Sequence, residues 1–151
     1  MNLVLRAAHS DDLAAICDFN ARLAWETEQK KLDPAVLRAG VQTMLDDPAK
    51  GRYFVALLDD VVVGQLGITL EWSDWRNGDF WWIQSVYVAA DARRRGVFRR
   101  LYDHVSAAAK ADDRVIGVRL FVERDNHAAQ AVYRNLGLQE THYLLLEKSP
   151  P

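Results

Sequence analysis

Ser85-Val86-Tyr87-Val88-Ala89-Ala90-Asp91-Ala92-Arg93-Arg94-Arg95-Gly96-Val97-Phe98-Arg99-Arg100 is the most informative stretch of this 151-residue chain. An apolar strand ending in Val86-Tyr87-Val88 runs into an arginine-rich loop containing Gly96, and the loop opens a helix at Val97. The first four N–H groups of a helix have no internal acceptor and lie at the positive end of its dipole, so such a loop can bind phosphate oxygens. Gly96 lets the backbone approach a ligand closely, and arginine side chains add charge-assisted hydrogen bonds. A solvated basic helix start has the same local sequence, so the rest of the chain has to decide between the two.

Working outward, the strand spans Phe80 to Val88 and the helix Val97 to Ala111. Val115 to Val122 reads as a further strand, Asn126 to Leu136 as a helix closed by Gly137, and Tyr143 to Glu147 as a final strand. Upstream, Tyr53–Leu58 and Val61–Leu70 are β-branched runs joined by Asp59-Asp60, an antiparallel hairpin, followed by a polar, aromatic link from Trp72 to Asp79. Asp33-Pro34 opens a helix that Asp47-Pro48 ends, and Ser10 precedes an earlier helix with an apolar stripe at Leu13, Ile16, Cys17 and Leu23. Residues 3–8 form a first short strand. The order β-α-α-β-β-β-α-β-α-β predicts a mixed α/β sheet with helices on both faces, built as a single domain over residues 1–151.

Asn126-x-x-Ala129-x-x-x-Tyr133-x-x-x-Gly137-Leu138 is a second motif, placed after a strand, with positions 126, 129 and 133 on one helical side. Taken alone, Asn126 reads equally well as an N-cap, Tyr133 as a core aromatic and Gly137 as a C-cap. Together and in this order, the two motifs resemble those of the GNAT acetyltransferase superfamily. Its acetyl-CoA signature, Gln/Arg-x-x-Gly-x-Gly/Ala, corresponds to Arg93-Arg94-Arg95-Gly96-Val97-Phe98, with Phe98 where the family usually has a small residue. The resemblance implies a mostly antiparallel central sheet, splayed at the acyl-CoA site.

It also implies acetyl transfer from acetyl-CoA to an amine within a ternary complex, with acetyl-CoA as co-substrate and no metal. Val86 N–H then polarises the thioester carbonyl, and the backbone of Tyr87 and Val88 lines the pantetheine arm. The pyrophosphate sits on the loop from Arg93 through Arg94, Arg95, Gly96, Val97, Phe98 and Arg99, with Asn126 lining the cofactor. Tyr133 protonates the departing thiolate. Some family members carry a basic glutamate four residues before the oxyanion-hole residue, where this chain has Trp82. The general base is therefore sought among Glu71, the first choice, and Asp79, Glu123, Glu26 and Glu28.

Trp72, Trp75, Trp81 and Trp82 fall within eleven residues. Tryptophans at strand ends commonly serve a core or an interface. Trp72, Trp75 and Asp79 are also candidates for a wall of the acceptor pocket, with Glu26 and Glu28 in the segment between the first helices. Carboxylates beside aromatic rings suit a small cationic amine. Acetylation of a protein lysine or N-terminus, and a non-catalytic acyl-CoA sensor, remain the alternatives.

Composition narrows the classes further. Nineteen basic against 21 acidic residues give a net charge of -2, which excludes a general polyanion binder. Yet five of the eight residues 93–100 are arginine, a local site for one polyanion. Cys17 is the single cysteine, leaving no intrachain disulfide and no thiolate metal cluster. No apolar run approaches a membrane span and Met1–Ser10 lacks a signal core, so the expected setting is cytoplasmic. The expected partners are an amine, with neither nucleic acid nor membrane, and there is room for a homodimer.

Overall fold

The structure is a computed structural model that describes residues 2–151. Two compact units are distinguished, Met1–Leu120 and Phe121–Pro151. The larger contains β1 (Leu3–Ala7), α1 (Leu13–Glu28), α2 (Pro34–Asp46), β2 (Gly51–Leu58), β3 (Val61–Ser73), β4 (Gly78–Val88), α3 (Val97–Ala111) and β5 (Val115–Leu120). The strands lie in sequence order, antiparallel from β1 to β4, and α3 carries the chain across to β5, which pairs parallel with β4. The fold is thus the expected mixed α/β sheet.

Alternation along the strands assigns the two faces of the sheet. Phe54, Ala56 and Leu58 of β2 join Leu66, Ile68, Trp81 and Ile83 in a core with Val97, Leu101 and Val105 of α3. Tyr53, one residue out of phase, packs instead with Leu13 and Ile16 of α1 and Val41 of α2. Helices therefore cover both faces. No helix among the described residues is long and apolar enough to cross a membrane.

Local chemistry places the helix ends. Asp33 accepts from the N–H groups of Ala35 and Val36 at 2.8 and 3.3 Å, with Pro34 at the first helical position. Asp33→Ala is expected to lower stability by about 1 kcal/mol, read as a shift in the urea midpoint. Arg6 on β1 grips Asp12, which precedes α1, with two hydrogen bonds of 2.8 and 3.0 Å, and His9 N–H adds a third at 2.9 Å. Burial works to raise the Asp12 pKa, but the Arg6 hydrogen bond, the His9 N–H and the Arg6 charge outweigh it and the pKa is lowered. The contribution is therefore complete above the unfolded carboxylate pKa and fades as pH falls through the lower folded value. Asp12→Asn is expected to be less stable than the parent at neutral pH, with the difference shrinking in acid in thermal melts.

The region around Trp72 differs from its sequence reading. β3 runs on to Ser73 and β4 begins at Gly78, with Trp72↔Asp79 and Ser73↔Gly78 paired, so the link shrinks to a turn over residues 74–77. Asn77 takes a left-handed φ of 50° there. Gly78 is required by its neighbour strand, since a Cβ would lie 2.6 Å from Ile116 Cγ2 and 2.8 Å from Arg114 O.

In the smaller unit, α4 spans His127–Asn135. Gly137 (φ 95°) ends it, with Gly137 N–H on Arg134 O and Leu138 N–H on Tyr133 O, both at 3.0 Å. The predicted final strand, Tyr143–Glu147, is not formed, and β5 stops at Leu120 rather than Val122. A strand needs the backbone of a neighbour. Within the smaller unit no backbone pairs with residues 143–147.

Candidate active site

β4 carries an irregularity where its sequence is most informative. Gly67 pairs with Gln84 and Gln65 with Tyr87, leaving Ser85 and Val86 together opposite Leu66, a β-bulge. Ser85 takes a φ of 52° there. On the other side, pairing with β5 ends at Ile83↔Leu120, so within the larger unit β4 from Gln84 to Val88 has no strand beside it on that edge. Taken within that unit, the sheet is open beside Val86, Tyr87 and Val88.

A buried polar group holds the bulge. Gln65 is fully buried, and its Nε2 donates to Ser85 O at 2.9 Å and to Asn20 Oδ1 at 2.8 Å. Asn20 Nδ2 in turn donates to Tyr53 Oη at 3.4 Å. Ser85 C=O and Val86 N–H belong to one planar trans peptide, so fixing the carbonyl aims the N–H the opposite way. Sequence reading missed Gln65 and Asn20. The signal was a lone amide inside the apolar run Val61–Leu70.

Glu26 and Tyr87 come together beside the bulge. A surface cavity of about 500 Å³ is lined by Ala21, Arg22, Trp25, Glu26, Tyr87 and Ala90. Tyr87 Oη donates to Glu26 Oε2, and Arg93 Nη2 donates to Glu26 Oε1 at 2.8 Å. The Tyr87 and Arg93 hydrogen bonds hold the Glu26 pKa below the usual carboxylate range. Burial, then the bond to Glu26, pushes the Tyr87 phenol up.

Arg93 is thus not simply a loop cation. Its Nε donates to Val88 O at 2.8 Å and its guanidinium lies 5.2 Å from the Tyr87 ring centre, so it closes the end of β4. Arg94 (φ 62°), Arg95 and Arg100 are exposed, and Arg99 pairs with Asp103 at 3.0 Å. Gly96 (φ 79°) precedes α3 without a capping side chain, and a Cβ there would meet open space. The N–H groups at the start of α3 therefore face no cap, as a bound pyrophosphate requires. Phe98 is half-buried and its ring turns toward Tyr102, at 6.3 Å between centres, so the bulky residue leaves the Gly96 approach open. Val97 is buried in the core.

Other candidates lie apart from the bulge. Glu71 pairs with Phe80, and Val86 is six positions further along β4, roughly 20 Å at the rise of a strand. Its carboxylate accepts from Trp82 Nε1 at 2.7 Å and Arg119 Nη1 at 3.1 Å. Trp72, Trp75 and Asp79 sit at that same turn end, Trp75 almost wholly exposed. Glu28 is the exposed last residue of α1. None of these five lines the cavity with Glu26.

In the smaller unit, Asn126 Oδ1 accepts from Ala129 N–H at 3.1 Å and caps α4. Tyr133 lies on the same helix side two turns on, half-buried, with its phenol pKa raised by burial. Glu123 precedes the helix, and its carbonyl accepts from Gln130 Nε2 at 3.0 Å. Among the described residues no group of three or more His, Cys, Asp or Glu could hold a metal ion.

Solved structures share this architecture. A possible acetyltransferase from Clostridium difficile 630 is 44% identical, covering 99% of this chain and 98% of its own, with a TM-score of 0.94. The aminoglycoside N-acetyltransferase AAC(6')-Iy in complex with CoA is similar in fold (16% identity, 99% and 96% covered, TM-score 0.80). So is a ribosomal-protein-alanine N-acetyltransferase from Brucella melitensis biovar Abortus 2308 (15%, 98% and 99%, TM-score 0.78). No curated protein matches the chain. The acetyltransferase (GNAT) family model matches residues 17–138, which contain the bulge, the arginine loop and the Asn126–Tyr133 helix, and the chain belongs to that family.

Proposed function

We propose that this protein transfers the acetyl group of acetyl-CoA to the primary amine of a small cationic molecule by direct attack, with both compact units forming one acetyltransferase domain. The observation that carries the reading is the bulge at Ser85–Val86, which opens the sheet edge beside an uncapped helix start and the Glu26-lined cavity. Val86 N–H polarises the thioester carbonyl, and Gln65 positions that N–H by holding the other end of the same peptide. The backbone of Tyr87 and Val88 pairs with pantetheine. The N–H groups around Gly96, Val97, Phe98 and Arg99, with Arg94 and Arg95, hold the pyrophosphate, and Asn126 lines the cofactor. Arg93 orients Glu26 and Tyr87 instead. Tyr133 protonates the departing thiolate.

On the acceptor side, Glu26 replaces Glu71 as the favoured carboxylate, because it lines a cavity next to the bulge whereas Glu71 is tied to Arg119 and Trp82. Each Glu26 oxygen has a lone pair beyond the bond it already accepts. Its lowered pKa suits it to attract an ammonium and to pass the proton to water. Trp25, 60% exposed in the same lining, offers a ring face to the cation.

Release of free CoA with a panel of polyamines, aminoglycosides, amino acids and peptides tests the reading. Turnover only with uncharged or acidic acceptors contradicts the acceptor class, turnover only with peptides favours protein acetylation, and binding without turnover favours a sensor. Glu26→Gln is expected to raise the acceptor KM about three- to fivefold, the scale of an exposed ion pair, with little change in the KM for acetyl-CoA.

A further inference from the structure

The cavity beside the bulge is lined by charges of both signs. α1 presents Arg22 and Glu26 to it, about one helical turn apart, which brings their Cβ atoms to about 5–6 Å. Trp25 precedes Glu26 and lines the same space. After the hydrogen bonds from Tyr87 and Arg93, the Arg22 charge adds to the lowering of the Glu26 pKa, so the two side chains act on each other.

The two charges are not equally engaged. Glu26 accepts from Tyr87 Oη through one oxygen and from Arg93 Nη2 at 2.8 Å through the other, so a guanidinium already answers it. Arg22 lies 3.0 Å from Asp18 Oδ2 through Nε, one turn back on α1, in a pair whose members are 56% and 53% exposed. Asp18 is not among the lining residues, and an arginine carries further donors on both Nη atoms. Two guanidinium charges, Arg22 and Arg93, thus stand around one carboxylate at this cavity. A polyamine placed here meets Glu26 with one ammonium and turns another toward Arg22. A molecule with both an amine and a carboxylate answers each sign, and the carboxylate gains the charge-assisted bonds that a guanidinium fork makes best.

We propose that the acceptor is an amine that also carries a carboxylate, as a basic amino acid does, with Arg22 binding the carboxylate, Glu26 drawing the ammonium and the intervening chain lying against Trp25. This rests on the acetyl transfer proposed above and narrows its acceptor class. The step keeps its balance: the amine nitrogen bonds to the acetyl carbon and the carbon–sulfur bond breaks. The ammonium gives up two protons, one through Glu26 to water and one that makes good, through solvent, the proton Tyr133 passes to the thiolate.

The probes are δ-aminovalerate, pentylamine and cadaverine, which share a five-carbon amine and end in a carboxylate, a methyl group and a second ammonium. Calorimetric titration of the full chain with CoA present, and kcat/KM from release of free CoA, are both expected to favour δ-aminovalerate by about fivefold over pentylamine, the upper scale of an exposed ion pair. Cadaverine is expected to rank below both, and lysine above it. Arg22→Gln is expected to erase the preference by weakening δ-aminovalerate to the level of pentylamine. Asp18→Asn, which removes the same ion pair on α1 but keeps the guanidinium, is expected to retain it. A preference lost equally in both variants assigns the effect to the helix and overturns the inference. So do binding of cadaverine or pentylamine as tight as that of δ-aminovalerate, a preference that survives Arg22→Gln, and binding of none of the three; turnover of the amines in any of these cases leaves acetyl transfer standing. A preference in binding with no release of CoA from any acceptor supports recognition by Arg22 and overturns the transfer reading instead.

Discussion

Tyr133→Phe is expected to lower kcat by about 10²–10⁴-fold, the range for losing a positioned general acid, with KM for acetyl-CoA little changed. Burial raises the Tyr133 pKa above the usual phenol value, so the proton stays on the oxygen across the neutral and mildly alkaline range. A departing thiol has a pKa near that of cysteine, about 8.5, so transfer to an already free thiolate is uphill. The proton has to move while the carbon–sulfur bond is breaking and charge is building on sulfur. Phenylalanine keeps the ring and its packing and removes only that proton. The sign of the shift predicts the pH profile too: kcat of the parent holds beyond the usual phenol range before its alkaline limb, and the variant lacks that limb. Steady-state and single-turnover rates measure both. An unchanged kcat removes the proton-donor role, whereas a loss confined to KM reduces Tyr133 to a binding surface.

The elements that sequence displayed well are those whose signals are local. Asp33-Pro34 marks the start of α2, Gly96 the start of α3 and Asn126 the cap of α4, because a cap is made by residues within three or four positions. The bulge was legible only through family resemblance. A left-handed Ser85 has no composition signal, since its cause is an amide twenty residues away in sequence. Glu26 and Arg93 likewise meet across 67 residues, a pairing that no local signal announces. The Trp72–Asp79 stretch looked like a polar link because strand pairing does not require apolar side chains at every position. Tyr143–Glu147 differs for the opposite reason: its side chains suit a strand, but a strand exists only beside another backbone, and the smaller unit contains none.

Gln65→Leu is expected to lower kcat by about tenfold to a hundredfold, part of the 10²–10³ that an oxyanion donor supplies, and to lower stability by roughly 2 kcal/mol. Two acceptors, the buried Asn20 Oδ1 and the half-buried Ser85 O, lose their donor. Each orphaned group costs about 1–3 kcal/mol. Against this, Gln65 Oε1 is itself buried without a partner, a penalty that leucine removes, and leucine gains apolar burial. The catalytic loss has a separate origin. A left-handed non-glycine residue stores about 1–3 kcal/mol of strain, so without the clamp Ser85 relaxes and its peptide turns, carrying Val86 N–H off the carbonyl it should meet. The readout that a structural role alone does not move is the split between constants: kcat falls while KM for acetyl-CoA stays within about threefold, because pyrophosphate contacts around Gly96 lie elsewhere. Gln65→Glu supplies the rescue. A buried carboxyl has a raised pKa, and its protonated form offers one donor where the carboxylate offers none. Its activity is therefore expected to recover on acidification relative to Gln65→Leu. If both variants melt early but turn over like the parent, the amide holds the fold and not the oxyanion donor.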